Sequence, residues 1–152
     1  MLKSILMGLV AGQRAMTPLA MVAVAATRGE LQHDSAAARL LANPVVAAGA
    51  VALAIAEMAG DKLASAPDRI VPAGLAARTV TSAVAGAVLA RPEERKAAVA
   101  AAVVAAWGAS WLGWRARCAA MKRHGSVATG AAEDMVVLGS AASVMRMGHA
   151  RL

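Results

Sequence analysis

The apolar residues of this chain are gathered into five long stretches that charged residues, Pro or Gly separate. The stretches cover residues 5–27, 42–60, 70–90, 97–121 and 127–147. Each is close to the roughly 20 residues that a helix needs to cross about 30 Å of hydrocarbon. The pattern therefore predicts a polytopic helical membrane protein with about five transmembrane helices in one domain, 1–152.

The stretches predict helices rather than strands, because they are long, rich in Ala and without two-residue alternation. We therefore expect an all-α fold. The fourth stretch is the strongest, since Ala97 to Trp114 carries no charge. The others are weaker, because Ala adds little insertion energy and a central Arg costs about 2.5–3.5 kcal/mol. A soluble, Ala-rich helical bundle is the alternative.

Composition supports the bilayer as the main partner. Hydrophobic residues make up 59% of the chain and charged residues 16%, against about 45–50% and about 25% in soluble domains. The formal charge is +7, but the basic residues lie mostly between the apolar stretches and have no interleaved aromatic residues on which bases could stack. We therefore expect no nucleic-acid partner.

Candidate chemistry is sparse. The single cysteine, Cys118, excludes an intramolecular disulfide and a metal site built from cysteines. No catalytic, dinucleotide, phosphate-loop or zinc motif is recognisable. We expect no enzyme activity, no cofactor and no metal.

The distribution of positive charge gives no membrane orientation. Five crossings would place seven Lys and Arg residues on each side, with Arg14 and Arg78 inside the spans. With equal numbers on both sides, the positive-inside rule predicts no orientation. Either one crossing is miscounted, or the protein has dual topology and forms an antiparallel homodimer.

The first stretch carries an arginine and a proline near its middle, in the motif Gly12-Gln13-Arg14-Ala15-Met16-Thr17-Pro18. Pro18 removes a backbone hydrogen bond and frees the Arg14 carbonyl, and Thr17 offers a hydroxyl to mend the break. We predict a helix that is kinked or broken near Thr17-Pro18.

An arginine at this depth must face protein or water. Glu57, on an antiparallel second helix, would lie within about one helical turn of the same depth. We therefore predict an Arg14–Glu57 pair. It is either part of a substrate or ion site at a broken helix or a structural ion pair that fixes helix register.

Glu57 also shares a helix face with Asp61, four residues later. The two could form a paired carboxylate site for a proton or a cation. The simpler interpretation is that Asp61 and Lys62 mark the membrane boundary, which leaves Glu57 as the deeper residue.

The residue types of this region recur later in the chain in the same order. Arg115 follows Gly113-Trp114, and Glu133-Asp134 follows Ala131-Ala132. Halves 1–62 and 95–147, joined by a helix over 70–90, would form an inverted repeat with a central site where the copies meet. Chance similarity in an Ala-rich chain is the alternative.

Two arginines bear on this hypothesis. Arg78, in the linking helix, would lie near the axis between the halves and could pair with Glu133. Arg115 lies at the end of its span if that span stops at Trp114. It lies deeper in the membrane if one helix runs from Arg95 to Arg123.

On these motifs the chain resembles an uncharacterised family of bacterial integral membrane proteins, catalogued as domain of unknown function 4126. The resemblance rests on Gly12 to Pro18, on Glu57 with Asp61-Lys62 and Pro67, and on Arg115-Ala116 with Ala132-Glu133-Asp134. It covers most of the chain. Members of the family typically carry a longer polar segment where this chain has Met121 to Gly130. The resemblance implies a multi-pass protein of a bacterial inner membrane, and it implies no particular activity.

Two functional hypotheses follow. The first is a transporter or channel for a small solute or ion, with a polar centre drawn from Arg14, Thr17, Glu57, Asp61, Arg78, Arg115, Glu133 and Asp134. The alternative is a structural or accessory membrane protein that packs against a partner, with charges that serve only to lock its own helices.

Overall fold

A computed structural model describes residues 1–31, 35–60 and 71–147, with the side chains at 122–124, 126 and 127 outside the description. All regular structure in these ranges is helical, which confirms the all-α prediction. The helices are α1 (Leu2–Gln13), α2 (Met16–Thr27), α3 (Ala36–Leu41), α4 (Pro44–Gly60), α5 (Pro72–Leu89), a 3₁₀ turn (Pro92–Glu94), α6 (Arg95–His124) and α7 (Ser126–Arg146).

The helix boundaries follow from ordinary capping chemistry. Asn43 accepts a hydrogen bond from the backbone N–H of Val45 at 2.9 Å, and Pro44 occupies the first turn of α4, where no donor is needed. Pro72 begins α5 in the same way. Gly125, with φ +77°, lets the chain reverse between α6 and α7.

The first apolar stretch does not cross the bundle. It forms two half-length helices, α1 and α2, that fold back on each other as a hairpin. Collinear helices would separate Lys3 from Glu30 by about 40 Å, at about 1.5 Å per residue. Instead Lys3 and Glu30 line one cavity of about 230 Å³, together with the residues that end α5. The prediction that residues 5–27 form a single span from one end of the bundle to the other is therefore wrong.

Gly29 ends the second helix of the hairpin, α2. Gly29 has φ +72°, a conformation that costs side-chain-bearing residues about 1–2 kcal/mol. The N–H of Gly29 bonds to the Ala26 carbonyl at 3.1 Å, and the N–H of Glu30 bonds to the Ala25 carbonyl at 3.0 Å. This is the Schellman arrangement, which closes the last turn of α2 and turns the chain toward α3.

Small residues let α1 lie very close to α6. A β-carbon on Gly8 would collide with the backbone of Ala102, and one on Gly12 would lie 2.5 Å from the Ala106 carbonyl oxygen. The sequence positions rise together on both helices, so α1 and α6 are parallel. Gly86 of α5 approaches Ala102 from another side, where a β-carbon on Gly86 would lie 2.8 Å from the Ala102 β-carbon. The Gly8-x-x-x-Gly12 pair therefore serves packing within the chain.

The other helices run the length of the bundle around this hairpin. Helix α4 packs on α2 and rises to Glu57, beside the hairpin tip. Helix α5 returns along α1, with Arg78 near Gly12 and Ser4 bonded to the Gly86 carbonyl at 3.0 Å. Helices α6 and α7 form an antiparallel pair. The hairpin thus enters and leaves at one end of the bundle.

This arrangement gathers basic residues at the hairpin-entry end. Among the described residues that end carries Lys3, Arg28, Arg39, Arg91, Arg95, Lys96 and Arg146. Lys3 belongs to this group only because the first stretch does not cross. The far end of α6 carries Arg115, Arg117, Lys122 and Arg123, so these four lie opposite the seven basic residues of the hairpin-entry end.

Two of the described helical segments, Pro72–Leu89 and Pro92–Met121, are long and apolar enough to cross a membrane. The apolar helices α1, α2 and α4 are shorter. Buried core helices of soluble proteins meet the same criterion, but only 33% and 28% of these two segments are buried. The described ranges are thus all-helical and contain two candidate membrane-spanning segments.

Candidate functional site

The tip of the α1–α2 hairpin consists of two residues, Arg14 and Ala15. Arg14 is extended, with φ −137° and ψ 112°, and α2 begins at Met16. Pro18 therefore lies in the first turn of α2, where its missing N–H costs nothing. The predicted break is confirmed, but it lies at Arg14-Ala15 because a proline is tolerated just after a helix start and not inside a helix.

Glu57 holds the start of α2. Its Oε1 accepts the N–H of Ala15 and its Oε2 accepts the N–H of Met16, both at 2.8 Å. A carboxylate is favoured there, because the first N–H groups of a helix have no intrahelical partner and the N-terminal dipole end is positive. Glu57 thus caps a helix from a different part of the chain.

Arg14 pairs with Asp134 on α7. Its Nε donates to Oδ1 of Asp134 at 2.8 Å, and its Nη2 lies 2.7 Å from the same oxygen. Arg14 is 2% exposed. The predicted Arg14–Glu57 pair is wrong, because both Glu57 oxygens accept hydrogen bonds from the first N–H groups of α2. The prediction considered only the depth of the two residues and did not include these N–H groups.

Arg78 holds the end of α1. Its Nε donates to the Gly12 carbonyl at 3.2 Å. The Ser110 hydroxyl lies 3.1 Å from the same oxygen and 2.7 Å from the Ala106 carbonyl, so its single proton can bond to either of the two acceptors. A cation suits this end, because the last carbonyls of a helix form the negative end of its dipole. Arg78 was predicted beside Glu133, but in the described contacts Glu133 accepts from Arg117 at 3.3 Å.

Gln13 and Ser110 complete the tip and were missed in the sequence. The Gln13 amide donates to the Ala109 carbonyl at 2.9 Å and occupies the space where Gly113 lacks a side chain. Ser110 is 1% exposed. Each of the two is a polar residue inside an otherwise apolar stretch, which is a pattern that can mark a site residue. Ala-rich helices contain many small polar residues, so this pattern alone does not distinguish site residues from others.

Thr17 differs from the other polar residues of the tip in its hydrogen bonding. The prediction that its hydroxyl mends the helix break is wrong: the side chain is 1% exposed, and among the described residues its Oγ1 has no hydrogen-bond partner. A buried hydroxyl without a partner costs about 1–3 kcal/mol. Thr17 lies one residue after Met16, whose N–H binds Glu57.

Two predicted site residues lie elsewhere. Arg115 is exposed and stacks on Trp111, with its Cζ 4.8 Å from the ring centroid. Asp61 is outside the described residues. Helix α6 is uninterrupted through Arg115, so the second copy of the motif lacks the break that defines the first. The inverted repeat itself stays a prediction.

The tip therefore brings together four of the predicted ionisable residues and balances their charges. Arg14 and Arg78 carry two positive charges, and Glu57 and Asp134 carry two negative ones. No cluster of three or more His, Cys, Asp or Glu side chains with metal-binding geometry occurs in the described part of the chain. The chemistry available here is the binding of charged or polar groups at the two ends of broken helices.

Comparisons with protein-family models, with curated proteins and with solved structures give no match. The resemblance to the bacterial membrane family therefore stays a prediction, and the class of protein must be argued from the fold and the hairpin tip alone.

Proposed function

We propose that the chain is an integral membrane protein in which α4 to α7 cross the bilayer and the α1–α2 hairpin enters it halfway. Each hairpin helix has 12 residues, about 18 Å at about 1.5 Å per residue, against about 30 Å of hydrocarbon. Non-helical backbone at such depth requires protein partners for its polar groups, and Glu57, Arg78 and Ser110 supply them.

The outer surface of the bundle supports this location. Large apolar side chains are exposed on all four crossing helices, including Val45 (80%), Val80 (62%), Val104 (70%) and Met135 (75%). Exposed apolar side chains on every one of these helices are unusual in a soluble monomer, which rarely exposes large apolar patches. Acyl chains would cover these faces, and a second copy of the chain could cover part of them as a homodimer. On the resemblance, we propose that this membrane is a bacterial inner membrane.

Within the bilayer, we infer that the protein conducts or transports a small anionic solute at the hairpin tip and is not an enzyme. The observation that carries this proposal is a buried, broken helix whose two free N–H groups, at Ala15 and Met16, bind a carboxylate. An anionic group is the natural competitor for that position. The buried hydroxyl of Thr17, one residue away, supplies an additional donor for such a group.

The test measures chloride and acetate flux in proteoliposomes. Glu57→Gln removes the carboxylate that competes with the anion for the Ala15 and Met16 N–H groups, so it is expected to raise flux while the protein stays folded and monodisperse. Thr17→Val removes only the hydroxyl and keeps every charge, so it should lower flux while unfolding at the same or a higher temperature. Glu133→Gln, on the neighbouring Arg117 pair, is the matched control and should leave flux unchanged. Absence of flux in the wild-type protein, or equal flux in all variants, would overturn the proposal.

The second candidate is a structural or accessory membrane protein. It is favoured by the balanced charges at the tip and by the protein partners of the freed backbone groups. In that case Glu57→Gln lowers stability, Thr17→Val raises it, and neither has a transport phenotype. The stability and flux measurements together therefore separate the two functions.

A further inference from the structure

The hairpin-entry end of the bundle contains a second polar feature, away from the tip. A cleft of about 320 Å³ lies between α2 and α7 where both helices end. Arg28 and Arg146 line it, together with the Glu30 carboxylate. Both arginines are exposed, and neither guanidinium has a side-chain partner in the described ranges. Two arginines against one acidic residue give the cleft a net positive charge, which favours an anionic occupant.

The rest of the cleft is apolar. Met21 and Val24 of α2 face Ala142 and Met145 of α7 across it, and all four side chains are at least partly buried. An apolar interior beneath a basic rim fits a molecule with an anionic head and a hydrocarbon chain. A free inorganic anion would use the rim and leave the interior unfilled.

We propose that this cleft binds the headgroup and upper acyl chain of an anionic phospholipid. The phosphate would lie between Arg28 and Arg146, and the chain would descend between α2 and α7. The surrounding charges suit this occupant, because the end that carries the cleft holds seven of the described Lys and Arg residues, against four at the far end of α6. We place the cleft in the cytoplasmic leaflet, where anionic lipids attract basic side chains. The proposal rests on the membrane location and is independent of transport.

The test titrates the purified full-length protein in detergent with phosphatidylglycerol or phosphatidylcholine and counts bound lipid by native mass spectrometry. Phosphatidylglycerol should bind more tightly. The double variant Arg28→Gln with Arg146→Gln should weaken it about thirtyfold, since each basic side chain near an anionic surface contributes about fivefold. Both side chains are exposed, so the variant should keep the wild-type unfolding temperature.

The matched control is Arg39→Gln with Lys96→Gln, which removes the same charge at the same end and changes neither arginine of the cleft. It should alter phosphatidylglycerol affinity by less than about threefold, since neither side chain lines the cleft and only distant, screened charge is removed. An equal loss in both double variants, or equal binding of the two lipids, would overturn the proposal. Competition by inorganic phosphate at the lipid's own concentration would show a free-anion site and overturn it too. Flux plays no part in this readout, so its failure is distinguishable from failure of the transport function.

Discussion

The Arg14–Asp134 pair should be the largest single electrostatic contribution to the stability of the hairpin tip. Two nitrogens of Arg14 lie 2.7 and 2.8 Å from one carboxylate oxygen, and the guanidinium is buried. Asp134→Asn removes the carboxylate charge that lies against this guanidinium, and breaking a buried ion pair costs about 3–5 kcal/mol. At about 2–4 °C per kcal/mol for a chain of this size, the unfolding temperature should fall by about 6–20 °C.

A double-mutant cycle measures whether this loss belongs to the pair. Arg14→Gln should destabilise by a similar amount, because it leaves the Asp134 carboxylate buried. The double variant should then be more stable than the sum of the single losses, by about 0.5–3 kcal/mol, because the two residues contact each other. The assay is thermal unfolding of the detergent-purified protein, followed by circular dichroism at fixed detergent concentration.

The neighbouring pair on the same helices supplies the control. Arg117 and Glu133 are 3.3 Å apart with 12% and 15% of their side chains exposed. Glu133→Gln should therefore cost less than Asp134→Asn, because Arg117 is more exposed than Arg14 and its contact with the carboxylate is longer, at 3.3 Å against 2.7 Å. If Asp134→Asn and Glu133→Gln shift the unfolding temperature equally, or if the cycle is additive, the tip is not organised by the Arg14–Asp134 pair.

Three further results are expected. Gly12→Ala should destabilise the protein by about 1–3 kcal/mol or more, because its β-carbon would lie 2.5 Å from the Ala106 oxygen. Gly49→Ala is the control: its β-carbon would meet nothing within 4 Å, so it should stabilise its helix by up to about 1 kcal/mol. Chemical denaturation measures both changes in the free energy of unfolding. Gly29→Ala should cost about 1–2 kcal/mol at a φ of +72°, again by denaturation, and an unchanged midpoint would contradict the Schellman turn. Lys3→Cys and Thr27→Cys should both react with an impermeant maleimide from one side of the membrane in a chain without its native cysteine, whereas labelling from opposite sides would refute the hairpin.

The helices and their ends could be predicted well from local chemistry. The four later apolar stretches coincide with α4 to α7 within a few residues, because apolar length, Pro44, Pro72 and Gly125 act over one or two turns. The short helix α3 was not predicted, since its six residues are too few to show a period. The break in the first stretch was predictable from Pro18, although its exact position was not.

The candidate site was predicted in its members more than in its contacts. Charged residues in apolar stretches must find polar surroundings, so Arg14, Glu57, Arg78 and Asp134 could be selected from the sequence. Their partners could not, because depth along a helix says nothing about which backbone groups a fold leaves free. Glu57 binds two N–H groups and Arg78 binds a carbonyl, and these acceptors and donors exist only once the helix is broken.

The sequence by itself determined that this protein is helical, strongly apolar and interrupted by a few charges that have to be compensated. Only the tertiary structure decided that the first stretch returns to the end where it began, which moves Lys3 to the basic end and turns Arg14 into the tip of a hairpin. The physical reason is that an apolar half-helix has the same local pattern whether the chain continues across or turns back. The choice is made by close packing of Gly8 and Gly12 on α6, together with the side chains that satisfy the freed backbone.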